Sequence, residues 1–232
     1  MEKAELQSVI LEAVRLTPRV KHYLSPEAQA FIRKARAEKA DGDLSGVNRD
    51  YHDAIAEALI DYFESGGSVT GPRNAMIQAM VEAFGDAFDN GWQDGGGEMP
   101  PDEGALDWFN PRVEEETGHI KTLFQQAKEL RNDPDADWMT WVTERADSYT
   151  KSIGSVYNAG VMLAKKNQML TWHLGNTEKH CTDCSKLDGG SHRASWYLAR
   201  DYIPRKPGAS MECGGYNCDC SLTDRDGNEI TI

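Results

Sequence analysis

The sequence predicts a mainly α protein: a multi-helix body followed by a small cysteine-rich knuckle of loops and a short hairpin. Three observations predict it. Apolar residues recur at helical spacing in one segment after another up to about residue 170. All five cysteines lie between positions 181 and 220. Composition also shifts after Leu170, where Gly, Asn, Asp and Cys become frequent. The expected division is 1–170, an acidic helical domain of six helices, and 171–232, the knuckle.

The elements follow in order. Residues 2–16 carry one apolar stripe (Leu6, Ile10, Leu11, Val14), closed by Thr17-Pro18. Ser25-Pro26 has the N-cap and first-position proline of a second helix, which runs to about Ala40. Asn48 or Asp50 caps a third, with Tyr51, Ile55, Leu59, Tyr62 and Phe63 on one face and Gly66-Gly67 as its stop. Gly71-Pro72 opens a fourth, faced by Met76, Ile77, Met80, Val81, Phe84 and Phe88. Residues 89–104 then read as a long Gly- and Pro-rich loop holding an exposed Trp92, a candidate anchor for a partner. Asn110-Pro111 starts the fifth helix, to about Arg131. The sixth begins near Asp133-Pro134 and continues through Trp138, Val142, Ile153 and Val156 to about Leu170. Its Gly154 and Gly160 either weaken it or let another helix approach closely. Beyond it, Ala194–Arg200 has room for a helical turn or two, Pro204 to Pro207 is extended, and Asp226-Gly227 turns a terminal hairpin.

Charge narrows the functional classes. The net charge is −13, and residues 1–170 hold 18 Lys/Arg against 29 Asp/Glu, or −11. Such a body does not suit a broad phosphate-binding surface. No run of eighteen apolar residues occurs, so no membrane-spanning helix is expected. The N-terminus lacks the basic and apolar regions of a signal peptide, which points to a reducing cytoplasm and to thiolate–metal chemistry over disulfides.

The candidate metal ligands are Cys181, Cys184, Cys213, Cys218 and Cys220. Cys181-x2-Cys184 can turn two sulfurs toward one ion, and Cys213-x4-Cys218-x-Cys220 can complete a tetrahedral zinc site. Five candidates compete for four places. Cys181, Cys184, Cys213 and Cys218 are the first choice, Cys220 is close behind, and His180 and His192 compete. A metal-free or disulfide-linked cluster is the alternative. A thioredoxin-like role lacks its βαβ setting. His173, His180 and His192 with Asp183 and Asp188 could in principle make an acid–base set. No deaminase, His-Glu-x-x-His, Gly-x-Ser-x-Gly or P-loop pattern accompanies it. The expectation is a structural zinc and no enzyme.

These residues also carry a family likeness. A long helix containing Tyr157-Asn158-Ala159 leads to Trp172, then Cys181-x2-Cys184, Leu187-Asp188-Gly189, a Pro-rich stretch and Asn217-Cys218-Asp219-Cys220. Residues 140–223 resemble the C-terminal region of the phage Mu F-like head morphogenesis proteins, the minor head proteins of tailed phages. Residues 1–135 show no such likeness. Two positions depart from the pattern: Gly215 stands where the family has His, and Asp219 where it has Arg. The resemblance implies a virion component near the portal vertex, supporting head assembly or DNA packaging. It implies portal or major capsid protein as partner, several copies per particle, and a location in the phage head or in host cytoplasm during assembly. In that setting the knuckle would present Trp196, Tyr197, Tyr202 and the Arg205-Lys206 pair to a neighbour. The alternatives are a zinc-knuckle adaptor for nucleic acid or protein and, further off, a toxin-type enzyme.

Overall fold

The computed structural model describes residues 44–177, 179–215 and 218–232. The helices expected over 2–16 and 26–40 lie outside them. Within them the protein is mainly helical, with short strands confined to the cysteine-rich end. The helices are α1 (Leu44–Ser65), α2 (Thr70–Asp94), α3 (Glu103–Arg131) and α4 (Trp138–Ala164). They are followed by β1 (Met169–His173), α5 (Thr182–Leu187), β2 (Ser191–Arg193), α6 (Ala194–Leu198) and β3 (Ser221–Thr223). None of the described helices is long and apolar enough to cross a membrane.

The chain forms two compact units, and their borders fall inside helices. The first comprises 44–86 and 110–144 of the described residues. Its core is aliphatic and aromatic. Tyr51, Ile55, Leu59 and Tyr62 of α1 are buried, as are Met76, Met80 and Phe84 of α2 and Ile120, Leu123 and Phe124 of α3. Tyr62 meets Phe124 edge-on at 5.8 Å, and Phe63 stacks on Trp138 at 5.0 Å. Arg131 closes this core, its guanidinium 4.3 Å from the Tyr62 ring centroid and Nη1 donating to the Tyr62 carbonyl. Asp137 caps α4, accepting from the Thr140 N–H and hydroxyl.

The second unit comprises 87–109 and 145–232. Here the end of α2 and the C-terminal half of α4 touch backbone to backbone. A Cβ on Gly91 would sit 2.1 Å from the Tyr157 carbonyl, and one on Gly160 2.5 Å from the Phe88 carbonyl. Gly160 therefore serves close helix approach, one of the two roles its position allowed.

Several expectations are corrected. Residues 89–94 are helix, not loop: Gly91 and Gly95 face the neighbouring backbone, and glycine there signals contact and not a turn. Trp92 is buried, not exposed, and donates its indole N–H to the Glu98 carbonyl at 2.8 Å. It pins the glycine-rich stretch and offers no anchor to a partner. Helix α3 starts at Glu103, and Pro111 lies inside it. An interior proline costs roughly 3 kcal/mol, and Ala105 and Phe109 on the turns before it are buried. Helix α1 begins at Leu44, ahead of the expected cap. Helix α4 ends at Ala164, and β1 takes Met169 and Leu170.

Strand β1 is the centre of a three-stranded antiparallel sheet ordered β2-β1-β3. Alternation along β1 sends Leu170 and Trp172 inward. Around them pack Ala159 and Met162 of α4, Tyr197, Ile203, Met211 and Leu222. The sequence suggests too few apolar residues for a core in 171–232; α4 supplies the missing wall. Asn158, fully buried on α4, donates to the Pro204 and Ile232 carbonyls and accepts from the Ile232 N–H. Its amide thus fastens the Pro-rich arm and the C-terminal Ile232 to the helix.

Candidate metal centre

The five cysteines arrive by different local routes. Cys181 is the N-cap of α5, and its sulfur accepts from the Cys184 N–H at 3.3 Å. The Cys-x2-Cys spacing thus makes one sulfur cap the turn that carries the other. Leu187-Asp188-Gly189 ends this helix and returns the chain to the sheet. Gly189, at φ +70°, donates to the Trp172 carbonyl, and Asp188 accepts from the Leu174 N–H. The second cysteine segment turns at Gly214 and Gly215, both at positive φ. A Cβ on Gly215 would lie 1.9 Å from the Lys206 carbonyl, so a side chain has no room here.

Two reciprocal hydrogen bonds hold the segments together. The Glu212 carboxylate accepts from the Thr182 N–H at 2.8 Å, and the Asp183 carboxylate accepts from the Glu212 N–H at 2.9 Å. The bond from Thr182 also draws the Glu212 carboxyl below its ordinary range. Asp219, between the last two cysteines, pairs with Arg205 at 2.8 Å and accepts from the Asn176 N–H.

All five sulfurs come together, in two triplets. Cys181, Cys184 and Cys213 lie within 4.8 Å of one another, as do Cys184, Cys218 and Cys220. None is in a disulfide. Cys184 and Cys220 are buried, and the other three are half-buried. His180 and His192 stand apart from both groups: the first contacts the Thr177 hydroxyl and the second stacks on Trp196 at 3.8 Å. His173 contacts the Thr223 hydroxyl across β1 and β3, and Asp183 and Asp188 serve backbone N–H groups.

The donor set suits a thiophilic cation. Burial tends to raise the Cys181 thiol, but the N–H groups and thiols of Cys184 and Cys213 bring it below its ordinary value. Burial and the Cys181 thiol push Cys184 up. The Cys220 thiol and burial do the same to Cys218, and burial raises Cys213 against the Gly215 N–H. Crowded thiols thus share one readily formed thiolate. A divalent ion would remove that limit, since a coordinating thiol gives up its proton outright. These two three-cysteine groups can hold a metal ion.

The surface next to the site differs from the expected one. Tyr197 is fully buried, its hydroxyl donating to the Gly190 carbonyl, so it presents nothing outward. Lys206 is buried and pairs with Asp201 at 3.0 Å, while Arg205 pairs with Asp219. The Pro-basic arm is therefore neutralised from within. Asn158, Glu212 and the Arg205–Asp219 pair are structural residues that sequence reasoning missed. The only sequence cue for Glu212 is an acidic residue adjoining a cysteine. No protein-family model, curated protein or solved structure matches this chain.

Proposed function

We propose that the chain is a zinc-knuckle adaptor whose cysteine-rich end is a structural metal site and whose ligand is another protein. The observation that carries the reading is the convergence of five free thiols into two metal-grade triplets. Charge supports a protein partner over nucleic acid. Residues 171–232 hold seven Lys/Arg against nine Asp/Glu, and Arg205 and Lys206 are already paired. Zinc fits the all-sulfur donor set. Metal analysis of reduced, purified protein tests it: thiol-bound zinc is expected, and metal-free protein with five freely titrating thiols would overturn it.

The setting we propose is assembly of a tailed-phage head, with portal or major capsid protein as the partner. It is supported by the resemblance of residues 140–223, whose Cys-x2-Cys, Leu-Asp-Gly and Cys-x-Cys residues all line or brace the one site. The expected outcome is recovery of the chain in purified virions at a copy number matched to the portal vertex. Absence from particles, together with salt-sensitive DNA binding by the isolated protein, would favour a nucleic-acid adaptor instead.

A further inference from the structure

The arrangement of the sulfurs says more than that a metal fits. A single tetrahedral zinc with bonds of about 2.3 Å places all six sulfur–sulfur pairs at about 3.8 Å. Here mutual proximity within 4.8 Å holds inside each triplet, and the five sulfurs make two triplets and not one quartet. Cys184 alone belongs to both.

The surroundings of the sulfurs divide the same way. Cys181 faces the N–H groups of Cys184 and Cys213, Cys213 faces that of Gly215, and Cys218 faces those of Arg205 and Cys220. Amide donors of this kind stabilise a thiolate bound to one cation, which keeps much of its negative charge. The Cys184 sulfur instead faces the sulfurs of Cys181, Cys220, Cys218 and Cys213, in a buried position. A thiolate so placed needs positive charge from both sides.

Resting on the zinc reading above, we propose that the site is binuclear: two divalent thiophilic cations share the Cys184 sulfur as a bridge, one also bound by Cys181 and Cys213, the other by Cys218 and Cys220. Five S–H bonds give up their protons to solvent as five metal–thiolate ligands form. The centre then carries five negative charges against four positive. Each cation keeps one further position for solvent or another donor.

The test is metal stoichiometry on the full chain. Reduced, metal-stripped protein is titrated anaerobically with Co(II), followed by the sulfur-to-cobalt charge-transfer absorption. Zinc-loaded protein is weighed by native mass spectrometry. Two equivalents per chain are expected in both. The two cobalt ions, joined through one sulfur, should show a magnetic moment below that of two independent ions. The C218S/C220S double variant should retain one equivalent. Saturation of the wild-type chain at one equivalent would overturn the binuclear proposal and leave the adaptor reading standing, whereas no thiolate-bound metal would remove both. Two equivalents in the double variant would also overturn it. The wild-type count needs no variant to fold.

Discussion

The first compact unit and the cysteine-rich end solve the same problem with different materials. The first buries aromatic and aliphatic side chains from long helices, with Tyr62, Phe84 and Phe124 at its centre. The second surrounds one tryptophan on a short strand with pieces of loop, sheet and helix, and sets five thiols beside that core. The difference teaches where metal matters. In the first unit, position is set mainly by apolar area. In the second, a hydrophobic cluster fixes the sheet and α4, and the sulfurs fix the two loops that carry them.

The largest expected effect is removal of the metal. Structural zinc contributes on the order of 10 kcal/mol in small knuckles. Chelation under reducing conditions should lower hydrogen-exchange protection in the two cysteine segments, 181–187 and 211–220, while α1 and the start of α2 keep theirs. Uniform loss across both units would show that the comparison is drawn too sharply. Next in size are the two core anchors. Trp172→Ala and Phe124→Ala should each cost about 3–5 kcal/mol in denaturant melts. Only the first should also weaken zinc binding in a competition titration. Gly215→Ala should follow, losing more than about 1 kcal/mol, because it must adopt φ +73° and meets the Lys206 carbonyl.

The smallest effect belongs to Glu212. Its carboxyl is held below the ordinary range by hydrogen bonding from the Thr182 hydroxyl and then the Thr182 N–H. Its contribution is present above the unfolded-state pKa and disappears as pH falls through the lowered folded-state value. In Glu212→Gln that part of the acid-unfolding slope should vanish. An unchanged slope in pH-dependent melts would show that the hydrogen bond is not maintained in solution.

The helical class was legible because residues such as Ile55, Leu59 and Tyr62 repeat at helical spacing before Gly66 ends the run. The continuation of α2 past Phe88 was not. Gly91 and Gly95 look like loop residues until the backbone they touch is known, and that backbone lies some seventy residues away in the chain. Pro111 misled for a related reason, since tertiary burial of Phe109 overrides a local penalty. The cysteines announced themselves by clustering. Their grouping did not, because Cys184 becomes common to two triplets only once the Glu212–Asp183 contacts close a loop of about thirty residues. The core at the cysteine-rich end crosses the boundary drawn at Leu170: Trp172, Tyr197, Ile203 and Leu222 lie beyond it, while Ala159 and Met162 come from the preceding helix.

Those two reciprocal hydrogen bonds between 182–183 and 212 have a consequence for supply. They clasp the two sulfur-bearing segments to each other through protein groups that are not metal ligands, beside a core of apolar side chains. A site clasped in this way loses less affinity to ordering its loops than the same ligands on unclasped loops. When thiophilic metal is scarce, it fills ahead of a knuckle that has the same ligands and no such clasp.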